Sequence, residues 1–471
     1  MGARLSLNNN NNNRKTTRRD DPFESSQNET NKRLKTSHTF YDENPRLIPN
    51  LPDEISIQIL ARLPRIYHLN AKLVSRTWKS ALTSTECYKL RKEFATNEEW
   101  LYILTKLDGE RLVWHALDPA TCIWQRLPLM PNVATEERPK RALRLWNFVG
   151  SSLIADTIRV WLGKKDALEE IPFCGCAIGS VNGCLYVIGG FCRASAMKTV
   201  RRYDPIVNSW SEVAPMSVGR AYCKTGVLNN KLYVVGGVTR GRGGLTPLQS
   251  AEVFDPQTGA WSDVPSMPFS KAQVLPAVFL ADFLKPIATG MTSYKGKLYV
   301  PQSLYCWPFF VDVGGEVYDP ETDSWGEMPV GMGEGWPAKQ AGTKLSVIVE
   351  DELYALDPSS SLDSARMKVY DRGDDSWKTI EGEVPIRDLA NSESPYLLAG
   401  FLGKLHVITK DGNGNISVMQ ADRRNRGDVG PSSSSAGVEE PVSGSFGNMW
   451  RVIATKSCGS AELVSSQILD M

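Results

Sequence analysis

The side chains best suited to chemistry are sparse in this sequence and do not gather. Four histidines, His38, His68, His115 and His406, would be the first candidates for a general base or a metal ligand in a chain of 471 residues. His38 lies in a polar N-terminal stretch and His68 in a helical segment. His115 and His406 lie in runs that read as strands, where a structural role is the simpler one. Cys174, Cys176, Cys184 and Cys192 form the densest cysteine group, but their spacing is not that of paired CxxC zinc ligands, so packing thiols on strands fits better. Gly241-Arg242-Gly243-Gly244 lacks the Gly-Lys-Ser/Thr ending and following helix of a phosphate-binding loop. Gly331-Met332-Gly333-Glu334-Gly335 reads as a flexible loop after a strand, outside any dinucleotide-binding context. No catalytic triad or carboxylate pair emerges, so the sequence argues for recognition without a cofactor or metal.

Composition narrows the partners. Lys and Arg total 54 against 53 Asp and Glu, for a formal net charge of +1, which favours neither nucleic acid nor an anionic membrane. No stripe of basic residues interleaves with aromatics as a nucleic-acid groove requires. The nine cysteines are scattered, which suits a reducing compartment, and no apolar run is long enough to span a bilayer. Residues 1–44 are polar and of low complexity, with six asparagines from Asn8 to Asn13, and read as a disordered tail. Met1-Gly2-Ala3-Arg4-Leu5-Ser6 fits the N-myristoylation pattern with Gly2 as acceptor. Arg14, Lys15, Arg18 and Arg19, then Lys32, Arg33 and Lys35, form two basic clusters. They suit a nuclear signal, or the electrostatic partner that a single acyl chain needs at a membrane. The expected address is nucleus or cytoplasm, with membrane association through Gly2 as the further option.

The elements that must carry recognition come from a repeat. Leu117-Asp118-Pro119…Trp124, Tyr203-Asp204-Pro205…Trp210, Phe254-Asp255-Pro256…Trp261 and Tyr318-Asp319-Pro320…Trp325 share one spacing, and Tyr370-Asp371…Trp377 keeps it without the proline. Asp accepts hydrogen bonds from amides just beyond it, Pro pre-sets a turn, and Trp opens the next strand with a large apolar face. Upstream of most copies stand runs such as Gly183-Cys184-Leu185-Tyr186-Val187-Ile188-Gly189-Gly190 and Lys231-Leu232-Tyr233-Val234-Val235-Gly236-Gly237. Their paired glycines suit a point where backbones crowd. These residues resemble the kelch repeat over about three quarters of the chain, and the resemblance implies a mainly β fold, a β-propeller of four-stranded blades. Six blades are counted between residues 98 and 471, or seven if 141–172 is a degenerate blade. Asn147 to Ile154 and Thr157 to Leu162 read as first strands of blade two with an insertion. The Ser/Gly-rich tract 423–448 reads as a disordered loop, and Ala461 to Leu469 as an orphan strand that completes blade one and closes the ring.

Residues 45–94 change character to a small all-α module. Pro52 suits a helix start and Asp53 with Glu54 its positive end, while Ile55, Ile59, Leu60 and Leu63 form an apolar stripe that Pro64 terminates. Two further amphipathic stretches carry Leu69, Leu73, Val74 and Trp78, then Leu82, Tyr88, Leu90 and Phe94. About 45 residues bury little core alone, so a partner is expected to complete the burial. Leu51-Pro52-Asp53-Glu54, Ile59-Leu60, Leu63-Pro64 and Leu73-Val74-Ser75-Arg76-Thr77-Trp78 resemble the F-box. The resemblance implies binding to the Skp-type adaptor of an SCF ubiquitin ligase, and through it to cullin and RING subunits. It puts Leu51, Pro52, Ile55, Ile59, Leu60 and Leu63 on the adaptor, with Trp78 and Val74 holding the helices together. The joint at 85–97 has no Gly/Ser/Pro spacer and is expected to be stiff.

The sequence therefore resembles an F-box/kelch-repeat protein of the plant type, a non-catalytic substrate receptor whose propeller binds a target protein for ubiquitination. Candidate target contacts are the unusual loops: Arg240 and Arg242 on a glycine-rich stem, Tyr305, Trp307, Phe309 and Phe310 in an aromatic insert, and Arg220, Lys271 and Trp336 between blades. One rival is a kelch scaffold without ligase function. The other is a metal-dependent propeller oxidase, against which the few histidines argue.

Overall fold

The computed structural model describes residues 46–107, 111–131, 175–192, 195–241, 244–269, 286–306, 309–338, 343–358, 364–386, 395–421 and 450–471. Gly2, Lys271, Arg242, Trp307, the tract 423–448 and the segments 147–154 and 157–162 lie outside them. Among the described residues no helix is long and apolar enough to cross a membrane.

Four helices form the first module: α1 (Asp53–Ala61), α2 (His68–Ala71), α3 (Arg76–Leu82) and α4 (Thr85–Glu93). Pro52 precedes α1, whose first turn holds Asp53 and Glu54 where the helix dipole favours them. Ser75 Oγ accepts from the Trp78 amide at 3.0 Å and Ser84 Oγ from the Cys87 amide at 3.1 Å, so α3 and α4 begin where capping side chains occur. Ile57, Leu60, Ala61, Ala71, Leu82 and Cys87 make a compact core. Trp78 ties the entering chain to it, donating through Nε1 to Leu47 O at 2.7 Å.

Six antiparallel sheets of the β-propeller follow, each a blade. Blade one pairs Glu99–Leu107, Arg111–Leu117 and Trp124–Arg126 with the last strand, Glu462–Asp470, which lies against Glu99–Leu107 and closes the ring. Blade two takes its four described strands from Ala177–Val181 to Ser209–Val213. Blade three runs from Lys224–Leu228 to Ala260–Val264. In blade four the first strand is broken into Pro286–Ala288 and Thr292–Tyr294, both paired with the long strand Lys297–Cys306. Blades five and six start at Val347–Val349 and Tyr396–Phe401.

The Asp-to-Trp repeat has one structural meaning in all five copies. Asp118, Asp204, Asp255, Asp319 and Asp371 each accept through Oδ1 from the amide two residues on, at 2.8–3.1 Å. Four residues after each Asp the chain turns left-handed, at Cys122, Asn208, Gly259, Asp323 and Asp375. The preceding tyrosine locks this turn where it can: Tyr203, Tyr318 and Tyr370 donate to Asn208, Asp323 and Asp375 at 2.6–2.7 Å, whereas Phe254 faces a glycine turn at Gly259. Each tryptophan then stitches its blade to the one before. The indoles of Trp210, Trp261, Trp325 and Trp377 donate to the carbonyls of Pro128, Ala214, Pro265 and Met332, and Trp124 reaches Thr455 of blade six across the closing seam, all at 2.6–3.0 Å.

Paired glycines solve crowding at the other end of the strands. Gly189 has φ +59°, and a Cβ there would stand 2.2 Å from Arg220 O; at Gly237, with φ +84°, it would stand 2.6 Å from Ala221 O. The segment Val330–Gly335, expected as a flexible loop, is instead a short helix, α5. Asp375 fixes it by accepting from the amides of Gly331 and Met332, both at 2.9 Å.

Antiparallel connectivity sorts the loops. Hairpins between first and second strands share one face with the Asp-to-Trp turns. Second-to-third hairpins and blade-to-blade crossovers share the opposite face. The helical module sits on the first, hereafter the near face: Lys72 Nζ donates to Ile206 O in the Asp204 turn of blade two.

Candidate functional site

The helical module presents an apolar surface that its own core does not use. Ile55 and Ile59 on α1, Tyr67 before α2, Leu69 on α2, and Leu73 and Val74 before α3 are all exposed, Leu73 to 84%. Ile55 and Ile59 stand one turn apart on the face of α1 opposite Ile57 and Leu60. Pro52 is exposed, while Leu51 and Leu63 are half-buried. So many apolar side chains left in water by so small a module mark a docking face.

Two expectations change here. Leu60 is wholly buried in the module's core and has no surface to offer a partner. Val74 does not hold the helices together; it is 63% exposed and belongs with Leu73 on the open face. Tyr67, Leu69 and Leu73 join that face; the sequence put Leu69 and Leu73 in an amphipathic stretch without assigning them to a partner, and did not single out Tyr67. Leu69 lies on the short helix α2 and Tyr67 and Leu73 flank it; its single turn gives no helical periodicity to read.

The joint to the propeller is built on charge inside the fold. Arg91 of α4 is 5% exposed and donates to Ala61 O at 2.9 Å, Leu63 O at 2.7 Å and Thr96 O at 2.8 Å. Its guanidinium also pairs with Glu98 at 3.5 Å. Glu98 in turn accepts from the Arg65 amide at 3.0 Å and the Trp100 indole at 2.9 Å. Arg65 lies over the Trp100 ring at 4.5 Å, a cation–π contact joining module to blade one. His68 sits beside Arg91 and accepts no proton at neutral pH. Burial, with the Arg91 charge second, pushes its pKa down to about 4.

On the far face the expected contacts separate. Arg220 is completely buried, its guanidinium paired with Glu252 Oε1 at 2.7 Å and donating to Gly236 O and Ser250 O. Trp336 is 2% exposed and packs on Trp377 at a ring distance of 5.5 Å. Both are framework between blades, because the crossovers that carry them, from blade two to three and from blade four to five, turn inward to fill the seams. Arg240 is exposed on the ribbon Val238–Gly241/Gly244–Pro247. Tyr305, Phe309 and Phe310 extend the central hairpin of blade four, with Tyr305 opposite Phe310 in register.

Two further histidines and Cys184 sit on strands. His115 and His406 are buried on strands, and His406 Nδ1 lies 3.0 Å from Lys404 O. Cys184 accepts from Arg202 Nε at 3.2 Å. Among the described residues no three His, Cys, Asp or Glu side chains group as a metal-binding set.

A helical docking module fixed to one face of a six-bladed propeller defines a class of two-headed recognition proteins. Comparison with known proteins places the chain within it. Residues 48–90 match the F-box domain family, and residues 172–217 and 219–268 match the Kelch motif. The chain is 60% identical over 456 residues to the F-box/kelch-repeat protein At1g22040 of Arabidopsis thaliana, covering 94% of this chain and 95% of that protein. It is 30% identical to the F-box/kelch-repeat protein At1g30090 over 72% of this chain and 71% of that one, and 27% identical to the F-box protein AFR over 70% and 75%, both from the same plant. The chain belongs to the F-box/kelch-repeat family.

Proposed function

We propose that this protein is the substrate-recognition subunit of an SCF-type ubiquitin ligase. The helical module docks a Skp-type adaptor, and through it cullin and RING subunits, while the propeller holds a target protein for ubiquitination. The observation that carries the reading is the exposed apolar surface of Ile55, Ile59, Leu73 and Val74 on a module that matches the F-box family, fastened by Arg65, Lys72 and Arg91 beside the propeller. Docking removes that surface from water, at about 25 cal/mol for each Å² covered. The chain itself makes and breaks no bond; catalysis belongs to the enzymes it brings together. Its fastened joint would hold a target at a set distance from the ubiquitin carrier.

Co-purification tests the reading. Wild-type chain is expected to bring down a Skp-type adaptor, and a Leu51→Ala/Pro52→Ala double variant to lose it while keeping the propeller folded. A folded wild-type chain that brings down no adaptor would remove the proposal.

A further inference from the structure

A cavity of about 30 Å³, half open to solvent, lies where the helical module meets blade two. Arg65, His68 and Arg91 line its module side with Leu82, and Ile206 and Met471 line it from the propeller. A single water needs about 10–15 Å³ of such space, so about two waters, or one small oxyanion, would fill it. Lys72 stands at the same junction, its Nζ donating to Ile206 O.

Charge around the cavity is unbalanced. Arg91 is matched by Glu98 and by the carbonyls of Ala61, Leu63 and Thr96. Asp204, on the propeller side, is engaged by Arg202 at 2.7 Å and by the Ile206 amide at 2.9 Å, and attracts Lys72 only from beyond ion-pair distance. Asp470 accepts from Asn97 at 3.1 Å. Arg65 and Lys72 thus stand at the junction without a paired carboxylate among the described residues. Arg65 stacks over Trp100 at 4.5 Å, and its Nη1 is buried with no hydrogen-bond acceptor; the Tyr102 hydroxyl beside it is buried and equally unbonded. His68 brings no negative charge: burial first, then the charges of Arg91, Lys72 and Arg65, keep it neutral. A buried donor without an acceptor destabilises a fold, more so when it is charged. Trp100 and Ile206 O nonetheless hold the two cations in place, so a receptacle for an anion is already formed.

We propose that this cavity binds a phosphate group, free or carried by a small metabolite, with the Arg65 guanidinium as its principal contact, and that the bound anion fastens the helical module to blade two. A guanidinium meets phosphate through two parallel charge-assisted hydrogen bonds, and the Lys72 ammonium adds a point charge. Leu82, Ile206 and Met471 limit solvent around the ion, so its attraction to both cations is screened less than on an open surface. The cavity shares no residue with the apolar docking face, and the inference does not depend on the substrate-receptor reading.

The test is calorimetric titration of the full chain, dialysed free of phosphate and held at constant ionic strength with chloride. The titrants are inorganic phosphate, glycerol phosphate and acetate. One saturable site per chain is expected for inorganic phosphate or glycerol phosphate, and whichever binds tighter identifies the source of the group; acetate is expected to give no saturable heat. Arg65→Gln should weaken binding about tenfold. Because Arg65 also stacks on Trp100, a second variant leaves every cation in place: Ile206→Trp fills the cavity from the propeller side and should abolish the site. Lys378→Gln, a near-face change outside the cavity, should leave binding as it is. In the wild type, bound phosphate should raise the pH at which His68 takes its proton, read from its ring resonances, since the anion offsets the surrounding positive charge. No saturable phosphate binding, acetate binding as tight as phosphate, unaltered binding by a folded Arg65→Gln or Ile206→Trp chain, or an unmoved His68 would overturn the site.

Discussion

On the near face of the propeller Lys231, Lys297 and Lys378 each meet the aspartate of an Asp-to-Trp turn, and every turn is pinned by its own carboxylate. On the far face the second-to-third connections of blades two and three grow into ribbons, and its carboxylates meet other cations: Glu252 pairs with Arg220, Asp312 with Lys344 and Asp357 with Lys368. The same strands run through both faces, so the contrast lies in the loops alone. The near face carries the chain's own helical module, with Lys72 donating to Ile206 O in the Asp204 turn.

The contrast can be broken first from inside. Beneath the far face, Arg220→Met would leave Glu252 buried with only the Ser217 amide, at 2.7 Å, and lost partners at Gly236 and Ser250. The expected loss of stability is about 3–5 kcal/mol by urea titration. Burial opposes ionisation of Glu252, but the Ser217 amide and the Arg220 guanidinium outweigh it and hold its pKa below the usual 4.5. The stability this gives is present above pH 4.5 and fades as pH falls below it; the variant should lack that acid limb.

The docking module gives the second test. Ile59→Glu/Leu73→Glu changes two exposed side chains and should leave stability within about 0.5 kcal/mol. Adaptor affinity should fall about a hundredfold, as for loss of central anchors. Acid gives the third. His68 is neutral in the folded chain down to about pH 4, whereas unfolded histidine takes its proton near 6.5. The groups that face it, Arg91, Lys72 and Arg65, are all cationic. Stability should therefore fall by roughly 2 kcal/mol between pH 6.5 and pH 4, allowing for partial solvent access. His68→Gln should remove part of that fall; His115, also held down to about 4 chiefly by burial, accounts for a share of the rest. The smallest effect is on the closing seam, where Trp124→Phe removes the indole bond to Thr455 O and should cost about 1 kcal/mol.

The repeat was legible because five copies put Asp and Trp at one spacing, and chemistry alone gave the Asp its turn. What the Trp does was not legible. Its hydrogen bond goes to the preceding blade, and no local pattern names a partner some 45 to 330 residues away. The fate of Arg220 and Trp336 was hidden for a similar reason. A basic or aromatic residue in a loop reads as a surface anchor until the loop is seen to turn inward, with Glu252 waiting for one and Trp377 for the other. In the helical module, Ile55 and Ile59 followed from periodicity. Leu60 did not, since the stripe of α1 is wide enough that one edge packs inward and the other faces water. Leu73 and Val74 stand in the link before α3, where the backbone sets exposure and sequence period carries no information.

The central claim is that the apolar surface of the module and the propeller act as separate heads of one receptor. Titration of a Skp-type adaptor onto the full wild-type chain and onto Ile59→Glu/Leu73→Glu, with melting temperatures recorded for both, tests it most directly. The account predicts saturable binding by the wild type and a loss of about a hundredfold in the variant at an unchanged melting temperature. A folded wild-type chain that does not bind, or a variant that binds as well as the wild type, would contradict it.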